Sequence, residues 1–134
     1  MVNVGAKPVQ QRRAVAQGRL HCAAATIKAL KNKALPKGDV LAVARIAAIQ
    51  AAKATSTLIP LCHPLPLEQI EVTFGVQANG IKIQCTAATS AKTGVEMEAL
   101  TGVSVAALTL YDMLKAVDKG MVIGEIQVTT KTKK

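Results

Sequence analysis

Three observations predict an α+β fold, an antiparallel sheet with helices packed on one face and one extra helix. Four stretches alternate apolar and polar residues as strands do, and three others carry the composition and stop signals of helices. Their order along the chain is β-α-α-β-β-α-β. With one of the first two helices set aside, this is the split β-α-β pattern.

Ala14 to Cys22 alternates loosely through Val15 and Leu20 and reads as the first strand. Ala23 to Lys33 is Ala-rich with Lys28 and Lys31 outward, a short helix stopped by Leu35-Pro36-Lys37-Gly38. Asp39 is a good N-cap for a helix from Val40 to about Thr55, with Leu41, Ile46 and Ile49 among its apolar positions. Glu71 to Val76 alternates as a strand, Asn79-Gly80 signals a hairpin, and Ile81 to Thr86 is the return strand. Thr93-Gly94-Val95-Glu96 fits a capping box that opens a long helix to about Val117. Met121 to Thr130 is the last strand, followed by a basic tail from Lys131 to Lys134. No repeat or linker divides residues 1–134, which read as one domain.

Half of the 134 residues are hydrophobic, yet the chain has one Phe, one Tyr and no Trp. So much aliphatic surface in a small domain predicts burial against other subunits. The longest uncharged apolar run, Ala99 to Tyr111, is about 13 residues, short of the ~20 that span a bilayer. Met1 to Gln10 lacks the apolar core of a signal peptide, and three cysteines, an odd number, suit reduced thiols in a cytoplasm. The net charge is +9, and Asp39 is the first acidic residue. That asymmetry favours an anionic partner, and the scarcity of aromatic stacking platforms ranks a phosphorylated small molecule above nucleic acid.

The stretch Leu58-Ile59-Pro60-Leu61-Cys62-His63-Pro64-Leu65-Pro66-Leu67 carries the strongest local signal. Each proline fixes its own φ and pushes the preceding residue toward extended backbone, so the segment is not helical. It is expected to be rigid, irregular and buried, presenting Cys62 and His63 to a site. An isolated buried Cys-His pair is more often plain packing. Zinc would need further ligands, and His21-Cys22 is the one other pair; adjacent strand residues point to opposite faces, and no Cys-x-x-Cys spacing appears. No metal site is assigned.

Two further groups carry chemistry. In Lys92-Thr93-Gly94-Val95-Glu96-Met97-Glu98-Ala99-Leu100, a helix N-terminus accounts for Glu96, but less well for Glu98 beside Met97 on an apolar helix. Asp112 and Lys115 are neighbours on a helix surface, an ordinary ion pair by spacing. Placed on a helix that should be buried, Lys115 is expected to have a lowered pKa, poised with Asp112 for proton transfer. Glu98 and Asp112 lie 14 positions apart, about 21 Å along one helix. Serving one site therefore needs a long substrate or two subunits. Lys37, Lys53 and Lys131 are basic residues at turns and ends, mostly solvated surface when taken alone; Lys37-Gly38-Asp39 differs because it opens a helix whose free N–H groups suit phosphate.

Together these blocks resemble the cyclic pyranopterin monophosphate synthase family of molybdenum-cofactor (molybdopterin) biosynthesis. The resemblance runs through Met1-Val2-Asn3-Val4 and Lys7, Lys37 to Val40, Ala44 to Ala47, Gln50 to Lys53, Leu58 to Leu67, Lys92 to Leu100, Ser104 to Lys115 and Met121 to Gly124. It implies a ferredoxin-like subunit in a homohexamer, a trimer of dimers with sites at subunit interfaces. It implies a lyase converting 3′,8-cyclo-7,8-dihydroguanosine 5′-triphosphate to cyclic pyranopterin monophosphate and pyrophosphate. By motif, Asp112, Lys115 and Lys37 would be catalytic. Leu61, Cys62, His63, Met97 and Glu98 would line the substrate site, with Glu96, Lys53 and Lys131 in support. No cofactor is implied beyond magnesium accompanying the triphosphate, and no nucleic-acid or membrane partner. Asn3 stands where the family usually has Asp, Ala91 where Gly is usual, and the sequence ends at Lys134 where the family often continues with a Gly-rich tail. Two rival readings are a basic RNA-binding module of ferredoxin-like fold, which would normally carry sheet aromatics, and an inactive assembly partner of the same pathway.

Overall fold

The computed structural model describes residues 1–134. The elements in chain order are β1 (Gln10–His21), α1 (Ala24–Lys31), α2 (Val40–Lys53), α3 (Thr55–Leu58), β2 (Gln69–Gln77), β3 (Gly80–Ala91), α4 (Glu96–Leu114) and β4 (Val122–Lys133). The strands form one sheet in the order β2-β3-β1-β4, every pair antiparallel. This is the split β-α-β arrangement of ferredoxin-like folds, and it agrees with the predicted class.

The sheet buries one face through strand parity. Ala14, Ala16 and Leu20 of β1 and Ile81, Ile83, Cys85 and Ala87 of β3 meet Ala99, Val103, Ala106, Leu110 and Leu114 of α4. Helix α2 packs on α4 and β2 with Val40, Ala44, Ala48 and Ala52, a stripe spaced at four residues. Leu41 and Ile49 flank that stripe, whereas Ile46, the third apolar position named for this helix, is 57% exposed. By length and composition α4 would pass for a membrane span, but just over half of it is buried between the sheet and α2 as the core helix.

Several boundaries differ from the sequence reading, each for a local reason. Helix α2 stops at Lys53 and α3 starts afresh, because the Thr55 hydroxyl donates to the Ala52 carbonyl at 2.8 Å and diverts the helix. The capping box does not form: α4 begins at Glu96 after Val95, with no side-chain cap. The Glu96 carboxylate pairs instead with Lys131 and takes its own backbone N–H, so it does not reach back to Thr93. Lys131 is available because the predicted basic tail is strand: β4 pairs with β1 as far as Arg12 opposite Lys133. The hairpin exists, but Gln77 pairs with Gly80, so the turn residues are Ala78 and Asn79, neither with positive φ. Gly80 is needed for close approach, since a Cβ there would lie 2.6 Å from the Leu20 carbonyl oxygen.

Candidate functional site

The predicted site residues fall into two groups at opposite ends of α4. At its C-terminal end, Asp112 holds two ammonium groups: Lys115 Nζ lies 2.9 Å from Oδ1 and Lys37 Nζ 2.9 Å from Oδ2. Helical spacing supplies Lys115. Lys37 comes from the loop between α1 and α2, where Gly38 takes φ +86°, a conformation that favours glycine. All three side chains are about half exposed. Hydrogen bonds from Lys115 and then Lys37 pull the Asp112 carboxyl down to about 2. The same pair raises the Lys115 pKa, so Lys115 is a firm ammonium and not the lowered lysine expected from a buried helix. The physical reason is exposure: α4 turns this flank away from the core.

At the N-terminal end, Glu96 pairs with Lys131, and Glu98 is almost fully buried at 4% exposure. Burial opposes ionisation of Glu96, but the bond from Lys131 and neighbouring positive charge win, holding its carboxyl below the usual range. Glu98 has no such cation; burial pushes its carboxyl up, and Glu96 adds to the effect. One helix turn thus presents an ionised carboxylate beside one biased toward the neutral acid, a pairing suited to separate proton acceptor and donor roles.

The proline segment is irregular as predicted, but half-exposed where burial was expected: Leu65 and Leu67 reach the core, while Leu61 is 69% exposed. Leu61, Cys62, His63, Met97, Glu96 and Glu98 share a cleft of about 460 Å³ that Val2, Val4 and Lys7 also line. The Cys62 thiol is pushed up by burial and then by Glu98, so it is a neutral thiol in this cleft. Lys53 lies elsewhere, in a neighbouring cavity of about 270 Å³ with Thr55, Ser56 and Pro64. Glu98 forms part of the wall of both.

Arg12 escaped the sequence reading. Its guanidinium donates to the Lys92 carbonyl at 3.4 Å, its buried Nε has no partner, and its charge helps keep Glu96 ionised. Parity was the available signal, for Arg12 shares the face of Ala14, Ala16 and Leu20, where an arginine is out of place. Asn3 keeps an acceptor role that Asp would also fill, its Oδ1 taking the Gly5 N–H at 2.8 Å. No three His, Cys, Asp or Glu side chains converge as a metal-ligand set; His21 pairs with Glu125 at 3.4 Å across β1 and β4.

The model of the MoaC family matches residues 1–134. A cyclic pyranopterin monophosphate synthase of Novosphingobium aromaticivorans is 53% identical over 131 residues, covering 98% of this chain and 83% of that protein. One of Parvibaculum lavamentivorans is 52% identical over 134 residues, covering 98% and 84%. A molybdenum cofactor biosynthesis bifunctional protein of Chlorobaculum tepidum is 55% identical over 132 residues, covering 98% of this chain and 42% of that longer protein.

Proposed function

The chain belongs to the MoaC family, and from that membership we propose that it is a cyclic pyranopterin monophosphate synthase of molybdenum-cofactor biosynthesis. It is a lyase that converts 3′,8-cyclo-7,8-dihydroguanosine 5′-triphosphate to cyclic pyranopterin monophosphate and releases pyrophosphate. The observation that carries the reading is identity above one half, over 98% of the chain, to relatives named for that synthesis.

The chemistry suits the residues. Recasting a purine as a pterin opens and recloses a ring, with protons delivered to and taken from nitrogen. Asp112, Lys115 and Lys37 supply proton transfer and positive charge, and Glu96 and Glu98 supply an ionised and a buried carboxyl. Closing a cyclic phosphate while expelling pyrophosphate builds negative charge, which lysine ammonium groups stabilise. Leu61, Cys62, His63 and Met97 shape the cleft, and Lys131 holds Glu96. Lys53 acts from the adjoining cavity. Magnesium enters with the triphosphate, and the protein contributes no cofactor of its own.

The two charged groups belong to one reaction if sites form between subunits, and we place them in a homohexamer, a trimer of dimers. Supporting this are the ~21 Å that separate Glu98 from Asp112 on α4 and the exposed aliphatic residues Ile46, Leu61, Leu108 and Val122. Its partners are then its substrate and its own copies, in the cytoplasm where GTP-derived substrate arises. The test is turnover of the cyclised dihydro-GTP substrate, followed by oxidation and detection of the fluorescent pterin. Product is expected from this chain and is lost in Lys115→Ala; no product from folded, assembled protein rejects the reading.

A further inference from the structure

Met1 to Lys7 form neither helix nor strand, yet side chains from two other segments hold them in place. His63 Nε2 lies 2.7 Å from the Val2 carbonyl oxygen, and Lys92 Nζ donates to the Gly5 carbonyl at 2.7 Å. Between these anchors, Asn3 closes a local turn on the Gly5 N–H. The segment is therefore fastened along the cleft as a strap, and Val2, Val4 and Lys7 line it together with Cys62 and His63.

The bond to Val2 has a chemical consequence. A backbone carbonyl only accepts, so His63 Nε2 carries the proton. This is true of the neutral ring and of the imidazolium alike. While the strap is seated, the proton that His63 gains or loses is the one on Nδ1.

We infer that the strap from Val2 to Lys7 is a positioning element of the cleft: its Val2 carbonyl keeps His63 protonated at Nε2, so that Nδ1 alone exchanges a proton with whatever the cleft holds. What occupies the cleft rests on the function proposed above; the state of the ring does not. The charged and titratable groups that line the cleft with that ring are Lys7 of the strap, Cys62 of the proline segment, and Glu96 and Glu98 of α4. None of them is hydrogen-bonded to His63, so the Val2 carbonyl is the group that selects its protonated nitrogen.

The test reads the ring directly. The chain has two histidines, so ¹⁵N imidazole NMR of all 134 residues, with His21→Gln to assign signals, isolates His63. The expected spectrum shows neutral His63 protonated at Nε2, with that proton slow to exchange. Removing residues 1–5 deletes the carbonyl and should speed this exchange by about tenfold or more, as loss of one hydrogen bond implies. Lys92→Met, which frees Gly5 but keeps Val2, should move the spectrum in the same direction by less. Neutral His63 protonated at Nδ1, or an unchanged ring in the shortened chain, overturns the inference. Substrate is absent from these spectra, so an inactive protein with the expected ring rejects the synthase reading and leaves the strap standing.

Discussion

Lys37 and Asp112, 75 residues apart in the chain, meet at 2.9 Å. Lys37 Nζ also reaches the Asp112 backbone carbonyl at 3.4 Å, so the loop before α2 is tied to the last turn of α4. One carboxylate thereby gathers two cations, with Lys115 on its other oxygen.

That arrangement sets a pH dependence. The Asp112 carboxyl is depressed to about 2, so its contribution is complete above its ordinary value and is lost only as pH falls through about 2. Asp112 therefore stays ionised throughout the working range, and any acid limb in the pH–rate profile belongs to another group. Asp112→Asn should cut turnover by about a hundredfold or more. Its Tm at neutral pH should hardly move, because the pair is exposed and solvent-screened. A large Tm loss in that variant would give the triad a structural role instead.

Glu98 has the opposite sign. Its raised folded-state pKa means that the ionised form costs stability above that pKa, and the cost fades as pH falls through it. Glu98→Gln, which cannot ionise, should melt higher than the parent at pH 8, with the difference shrinking on acidification. Turnover should fall by about tenfold or more as the proton-bearing group is lost. Thermal scans across pH check the first expectation; a variant less stable at every pH would contradict the desolvation argument.

Helix α4 approaches β3 closely at Gly102. A Cβ there would stand 2.6 Å from Cys85 Sγ and 3.4 Å from its Cβ, against a strand with no room to retreat. Alanine is the better helix former by about 1 kcal/mol, but overpacking costs about 1–3 kcal/mol, so Gly102→Ala should lower Tm by several degrees. Cys85 is fully buried and its thiol is pushed up to about 11, so it is inert packing. Adding Cys85→Ala should recover part of the loss, and a double-mutant cycle would show coupling of about 1 kcal/mol. Strict additivity would mean that the strain lies elsewhere.

Sites shared between subunits predict complementation. Lys115→Ala damages the C-terminal end of α4 and Glu96→Gln the N-terminal end, and each variant alone should be nearly inactive. Unfolding and co-assembling them in equal amounts should restore about a quarter of parental turnover, the share of randomly formed two-subunit sites with both ends intact. No recovery from well-assembled mixtures would mean that each chain carries a complete site.

The local signals in the sequence were those that short-range sterics impose. Alternation at Ile81 to Thr86, the Asp39 cap and the prolines around Cys62 and His63 each act within a few residues, and each is present in the structure: Asp39 accepts from the Ala42 N–H at 3.1 Å, and the proline segment is irregular. The capping box misled because it, too, is a local pattern, and Glu96 had a better partner on a strand 35 positions away in sequence. Arg12 was legible by strand parity, but only once β1 was known to begin at Gln10.

The fold class was legible from the order and periodicity of the elements, and the helical spacing of Asp112 and Lys115 and the ~21 Å between Glu98 and Asp112 follow from backbone geometry along one helix. Packing between elements is what brings Lys37 to Asp112, Lys131 to Glu96, Lys53 into one cavity with Glu98, and the Val2 carbonyl to His63. Each of these joins separate elements. No residue pattern encodes them locally, since each contact exists only once the sheet and α4 have packed and closed the intervening chain.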